Sequence, residues 1–300
     1  MHVVVTGSSG LIGSALVKRL SADGHRVTRL VRRTPRPGEA RWNPGDGTIE
    51  AGALDGADAV VNLAGAGIGD HRWTDEYKRE LRESRVLGTS LLARTIAALE
   101  HPPATLLSGS AIGYYGSRGD EVLDEHSPAG TGFLADISVE WESAASPAAD
   151  AGVRVVHLRT GIVLARQGGA LAKQLLLYKL GLGGKMGGGR QWQSWISLDD
   201  EVGAIIHLLA STCVGAVNLT APAPVTQGEF AKTLGHVLNR PAFLPIPRFG
   251  PKLLLGGELA DTLLFSGQKV LPVALQSDGF TFRHATLEAA LRSVLDRPTA

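Results

Sequence analysis

Apolar and polar positions alternate along the first half of this chain in a repeating way. Residues 2–6 (HVVVT) form a short, β-branched run that reads as a buried strand. Residues 11–22 then place Leu11, Ile12, Ala15, Leu16 and Leu20 on one face of a helix. Gly24 stops that helix, and 26–31 (RVTRLV) predicts the second strand. Further strands are predicted at Asp58–Leu63 (DAVVNL), Ala104–Ser108 (ATLLS) and Arg154–Leu158 (RVVHL), with helices over 74–99 and 133–150. Such strand–helix alternation implies an α/β fold, a doubly wound parallel sheet with right-handed crossovers.

Beyond residue 165 the rhythm changes. A helix is predicted over 169–181, followed by the glycine-dense stretch Gly181–Gly189, a helix over 198–211 and a strand over 215–220. Prolines at 222, 224, 241, 245, 247 and 251 exclude long helices except over 227–239. The expected organisation is a nucleotide-binding domain over 1–165 and a smaller substrate-side lobe over 166–300, closing on the carboxyl edge of the sheet.

Composition narrows the class. The 300 residues are 44% hydrophobic and 20% charged, an ordinary globular balance. A net charge of +1 supplies no broad field for nucleic acid or an anionic membrane, and neither partner is expected. The longest apolar runs fall short of the roughly 18 residues of a spanning helix. The N-terminus enters a strand without the layout of a signal peptide. With one cysteine, Cys213, no intrachain disulfide or thiolate metal site is available; the nine histidines lack ligand spacing, so no metal is expected. The expected setting is the cytoplasm.

The chemistry gathers where the first strand meets the first helix. In Val5-Thr6-Gly7-Ser8-Ser9-Gly10-Leu11-Ile12-Gly13, Gly7 suits a tight turn, Gly10 a close approach to a pyrophosphate, and Gly13 helix–strand packing. The helix start then offers free N–H groups to phosphate. Glycine-rich turns also arise for purely structural reasons, but this one opens the chain between a strand and an amphipathic helix. Gly7, Ser9, Gly10, Leu11, Ile12 and Gly13 are therefore candidate dinucleotide contacts. An NAD site places an acid about 20 residues beyond the turn. Here the second strand runs into Arg32-Arg33-Thr34-Pro35-Arg36, and the first acid is Glu39. A guanidinium pairs with a 2′-phosphate that a carboxylate would repel, so NADP(H) is the expected cofactor, with Arg32 the main contact and Arg33 the second. Leu63, Ala64 and Gly65 form a small-residue turn suited to the ribose and phosphates.

Together these blocks resemble the extended short-chain dehydrogenase/reductase superfamily, in particular its atypical epimerase family branch with a C-terminal domain of unknown function. The marks span nearly the whole chain: TGSSGLIGSAL (6–16), NLAGAGI (62–68), RW (72–73), SR (84–85), SAIGYYG (110–116), FLADISVEWE (133–142), LRTGIVL (158–164), WISLDD (195–200), SGQKVLP (266–272) and GFTF (279–282). The resemblance implies a Rossmann-type fold, with the family-specific segment over about 250–297. It also implies oxidoreductase or epimerase chemistry on a small carbonyl, hydroxyl or nucleotide-sugar-like substrate. The superfamily's acid–base step uses Tyr-x-x-x-Lys beside a Ser or Thr. Aligned on Trp141-Glu142, this chain has Leu134 where tyrosine belongs and Ser138 where lysine belongs. The implied substitutes are Ser110 as a substrate or nicotinamide contact, and Tyr114 or Tyr115 as proton donor, against the plainer reading of packed tyrosines. Arg85 and Glu80 are candidate cofactor contacts, and Arg72, Trp73, Lys185 and Arg190 candidate substrate contacts; each has a structural alternative in an ion-paired helix, a packed indole or a solvated loop. Loss of the Tyr and Lys leaves open a non-catalytic NADP(H)-binding regulator or scaffold.

Overall fold

The computed structural model describes residues 1–242 and 244–297. In chain order its first half comprises β1 (His2–Thr6), α1 (Leu11–Ala22), β2 (Arg26–Val31), β3 (Glu39–Asn43), β4 (Thr48–Ile49), β5 (Ala59–Asn62), α2 (Asp75–Ala97), β6 (Thr105–Ala111), β7 (Val122–Leu123), α3 (Phe133–Ser143), α4 (Ser146–Asp150) and β8 (Arg154–Thr160). The second half adds β9 (Ile162–Leu164), α5 (Gly169–Lys179), β10 (Trp192–Gln193), β11 (Trp195–Ser197), α6 (Leu198–Ala210), β12 (Gly215–Leu219), β13 (Val225–Thr226) and α7 (Gln227–Leu238). It closes with α8 (Phe249–Leu255), α9 (Gly257–Leu264), β14 (Lys269–Val270), α10 (Val273–Ser277) and α11 (Leu287–Val294).

Eight strands form one sheet in the order β12-β8-β6-β5-β1-β2-β3-β4, parallel throughout except for the β3–β4 pair. Helices α1 and α6 cover one face, with Leu16, Leu20, Ile205 and Leu208 sealed against Val3, Val5 and Val61. Helices α2 and α4 cover the other, over Val4, Val60 and Leu106. Burial on both faces explains why β1 and β5 read as continuous apolar runs instead of alternating ones.

The structure differs from the sequence pattern, or adds to it, at three places. The helix expected over 133–150 is two helices, because Pro147 in the first turn of α4 cannot donate a backbone hydrogen bond to a continuing helix. β3 extends the parallel sheet beyond β2, over residues to which sequence patterning assigns no element. Beyond the expected boundary at 165, α6 packs on the main sheet and β12 pairs along β8 within it, with Val217 and Leu219 fully buried. The end of the expected lobe, 298–300, lies outside the described residues.

The smaller lobe packs α5, α7 and α11 around Leu171, Leu175, Tyr178, Phe230, Leu234 and Leu291. Its last segment returns to the sheet. β14 pairs with β7, and the Glu125 carboxylate accepts backbone N–H bonds from Asn218 in β12 and Ala274 in α10 (3.0 and 3.2 Å). This carboxylate thus anchors the C-terminal segment to the edge of the sheet that bears the site.

Candidate functional site

The turn after β1 is shaped by what it cannot hold. Gly7 has φ +62°, and a Cβ there would sit 2.5 Å from the Leu63 carbonyl oxygen; one on Gly13 would lie 2.2 Å from the Gly7 oxygen. Gly13 therefore packs against the turn itself as well as closing the helix on the strand. Thr6 fixes the neighbouring strand end: its hydroxyl donates to Asn62 Oδ1 (2.7 Å) and accepts from the Leu63 and Ala64 N–H groups (3.1 and 3.2 Å). Leu63, Ala64 and Gly65 are thereby set beside the glycine turn. α1 begins at Gly10 with no side-chain cap and no acidic residue in its first turn. Its first N–H groups, at Leu11, Ile12 and Gly13, are left for an anion. Ser9 and Gly10 are exposed at the lip, while Leu11 packs against Gly168 and Gly169.

The basic loop after β2 divides its arginines. Arg33 grips Glu39 with both terminal nitrogens (2.6 and 2.7 Å), and Arg29 joins at 3.0 Å. Hydrogen bonding from Arg33 holds the Glu39 carboxyl down at about 2. Arg33, expected as a second phosphate contact, thus has its fork filled by Glu39. The first acid after β2, Glu39, is thereby engaged by two arginines. Arg32 is exposed and has no carboxylate or hydrogen-bond partner among the described residues.

Arg85 lies half-buried beside Gly65, donating to the carbonyls of Leu81 (2.9 Å) and Ala66 (3.0 Å) and facing the Trp141 ring. It has no carboxylate partner among the described residues, and burial pulls its guanidinium down to about 10. A buried cation without a counterion is costly, so an anion here would relieve it. Glu80 stands exposed and makes no ion pair among the described residues.

At the ends of β6 and β8 the structure gathers a polar cluster. Ser110 and Arg159 are register partners, and both reach Glu142 on α3. The Ser110 hydroxyl donates at 2.6 Å, and Arg159 donates two bonds of 2.8 Å. Burial pushes the Glu142 carboxyl up, but the Arg159 bonds and charge outweigh it, and the carboxyl remains ionised below its usual range. Arg159 also donates to the Tyr115 hydroxyl (3.0 Å) and lies 3.4 Å from the Tyr114 ring centroid. Sequence reasoning missed Arg159 altogether and used Glu142 only as an alignment mark. Their signal was weak: Arg159 lies at the end of the apolar strand run RVVHL, and Glu142 is one of three acids on α3.

Two of the expected catalytic residues are held within this cluster. Tyr115 is fully buried, its hydroxyl donates to Asn218 Oδ1 (2.7 Å), and burial raises it to about 12. Ser110, expected as a substrate or nicotinamide contact, is 4% exposed and its hydroxyl donates to Glu142. Tyr114 is half-buried, and its hydroxyl has no partner among the described residues. Leu134 packs against Gly113 at this same turn, while the Ser138 hydroxyl donates to the Leu134 carbonyl (2.7 Å). Neither position holds an ionisable group.

The expected substrate contacts scatter. Arg72 donates to the carbonyls of Leu253 and Leu254 (2.8 and 3.1 Å) at the C-terminal end of α8. Trp73 is half-buried against Phe133 and donates to the Ile68 carbonyl (2.9 Å), a packing role. Lys185 and Arg190 are exposed, without carboxylate partners among the described residues. No group of three or more metal-ligating side chains forms among the described residues.

A parallel sheet in this order, with a glycine turn and an uncapped helix at its centre, defines a Rossmann-type dinucleotide-binding protein. The chain belongs to the NAD dependent epimerase/dehydratase family, whose description matches residues 3–219, and residues 246–294 match a domain of unknown function, DUF1731. The first of these ends where β12 ends. Among its relatives, an epimerase family protein of Mycobacterium leprae is 45% identical, over 99% of this chain and 96% of that protein. Human epimerase family protein SDR39U1 is 38% identical over 98% of this chain and 100% of its own length. The crystal structure of the human protein (isoform 2) with NADPH superposes at a TM-score of 0.92, with 36% identity over 99% of this chain and 100% of that one. The fold is shared with MoeE5 in complex with UDP-glucuronic acid and NAD, at a TM-score of 0.77 and 21% identity, covering 99% and 98% of the two chains.

Proposed function

We propose that this protein binds NADP(H) and uses it as an epimerase-like oxidoreductase on a small carbonyl, hydroxyl or nucleotide-sugar-like compound, without Tyr-x-x-x-Lys. The observation that carries the reading is an unpaired Arg32 beyond a glycine turn that leads into an uncapped, acid-free helix start. The human relative crystallised with NADPH adds support. The first turn of α1 would hold the pyrophosphate, Arg32 the 2′-phosphate and Arg85 a further anionic or ribose oxygen. When bound, the cofactor supplies or accepts a hydride at its nicotinamide.

The chain's own part is orientation and proton movement. Tyr114, with its free hydroxyl, is the proposed proton donor or acceptor to the substrate oxygen. Arg159 fixes its ring from beneath, and Glu142 with Ser110 fixes Arg159. Tyr114→Phe is expected to lower turnover at least about a hundredfold, the usual scale of lost general acid catalysis, while leaving NADPH binding intact. Unchanged turnover would remove Tyr114 from the reaction. Ser110→Ala should also lower turnover without loss of cofactor, through Glu142. The expected setting is the cytoplasm, which the half-buried free thiol of Cys213 suits.

A second reading, a non-catalytic NADP(H)-binding regulator, draws on Leu134 and Ser138 and on an exposed apolar surface of the smaller lobe. Purified protein with NADPH and a panel of carbonyl compounds and nucleotide sugars separates the two. Turnover of one class supports the enzyme; tight binding with none supports the regulator.

A further inference from the structure

The whole-chain charge of +1 hides a strong segregation. Residues 166–198 contain five cations (Arg166, Lys173, Lys179, Lys185, Arg190) and no carboxylate; residues 230–257 contain Lys232, Arg240, Arg248 and Lys252, again with none. The fold brings these two acid-free segments together. Gly181 lies against Pro241, Gly184 against Leu244, and Gly187 against Arg248, while Met186 bridges to Ile246. The seam joins the end of α5 to the start of α8.

Along that seam several large apolar residues are exposed. Leu176 on α5 and Leu180 just after it are each 64% exposed and Leu182 51%; Phe249, Leu253 and Leu254 on α8 are 74%, 76% and 73% exposed. Some of the flanking charge is neutralised: Lys173 pairs with Asp70, Arg166 with Asp296, and Arg248 and Lys252 share Asp261. Lys179, Lys185, Arg190, Lys232 and Arg240 have no carboxylate partner among the described residues.

We propose that this face, α5 through the 181–187 seam to α8, docks on an anionic lipid surface, with Leu and Phe side chains entering the interface and the unpaired cations meeting lipid headgroups. Chemical complementarity selects the occupant. Long basic side chains interleaved with exposed leucines and phenylalanine suit a headgroup–acyl boundary, where lysine stems lie along apolar matter and their ammonium groups stay wet. A protein–protein interface core is depleted in lysine, so a second copy or another protein fits this composition less well. The inference is independent of the reaction assigned to the site, because none of the six apolar residues belongs to it. It runs against the expectation drawn from net charge, which gave no membrane partner: the distribution of charge matters here, and the sum conceals it.

The test is co-sedimentation of the full chain with vesicles of phosphatidylcholine containing phosphatidylserine and with vesicles of phosphatidylcholine alone. The bound fraction is expected to be at least about tenfold higher with the anionic vesicles and to fall as salt is raised. Phe249→Glu with Leu253→Glu, and separately Lys179→Glu with Arg240→Glu, should each lower anionic-vesicle binding at least about tenfold while NADPH affinity stays unchanged. The wild-type comparison stands even if a variant fails to fold. Absence of wild-type binding to anionic vesicles, equal binding to both vesicle types, or folded variants that bind as wild type would each overturn the proposal. A wild-type dimer that Phe249→Glu dissociates, with no vesicle binding, would assign the face to a second copy and overturn it as well.

Discussion

At the scale of single residues, two arginines separated by one peptide bond have opposite fates. Arg33 is clasped by Glu39, whereas Arg32 projects without a partner. Hydrogen bonds to a charged group contribute about 1.5–3 kcal/mol, so a lost 2′-phosphate contact should weaken binding roughly tenfold to a hundredfold. Arg33→Ala should instead leave the ratio of NADPH to NADH affinity nearly unchanged, and a large shift in that ratio on titration would return Arg33 to the phosphate site. The Arg159–Glu142 pair carries a different cost, being 5% and 12% exposed at its side chains. Removing one member strands a buried charge, and Arg159→Met is expected to destabilise the fold by about 3–5 kcal/mol in denaturant unfolding. A loss below about 1 kcal/mol would mean that water reaches Glu142 freely. The glycine turn was legible in the sequence because its spacing from a strand end encodes its geometry. Glu39 as Arg33's partner was not, since it depends on how the chain folds back after Pro35 and Pro37 to place β3.

At the scale of elements, strongly periodic segments were readable and short ones were not. β1, β2 and α1 occupy their expected residues, because an apolar run bounded by glycine leaves few alternatives. β3 escaped notice: its EARWN sequence carries two charged residues, and only pairing with β2 makes it a strand. Helix α6 holds a further consequence of burial. Glu201 is completely buried, accepts a 2.9 Å hydrogen bond from the Thr160 hydroxyl, and is pushed by burial to about 8. In the unfolded chain the same carboxyl ionises near 4.5. Between those values only the folded protein retains the proton, so the stability linked to Glu201 is complete below about 4.5 and is lost as pH rises towards about 8. Glu201→Gln cannot ionise, and its melting temperature relative to wild type should rise progressively across that window. A constant difference at all pH values would show that Glu201 is already charged in the fold.

At the scale of the whole molecule, the smaller lobe is stitched to the sheet edge through a few polar contacts. Glu125 accepts from both Asn218 and Ala274, and Ser194 bonds the Gln268 carbonyl and the Val270 N–H. Removing a buried acceptor of two N–H groups costs about 1–3 kcal/mol. Glu125→Ala should therefore speed amide exchange in residues 266–282 ahead of the Rossmann core; uniform acceleration throughout would show that the two parts unfold as one. This long-range stitching was invisible in the sequence, where Glu125, Asn218 and Ala274 are separate signals. The same holds for the extension of the sheet to β12, beyond the expected boundary at 165. The central claim is cofactor selection by a glycine turn and one free arginine, and fluorescence titration of wild type and Arg32→Ala with NADPH and NADH tests it most directly. The account predicts tight NADPH binding by wild type and a loss of at least about tenfold in the variant, against less than about twofold for NADH. Equal losses for both cofactors would contradict the assignment of Arg32, and no binding of either by wild type would contradict the dinucleotide site itself.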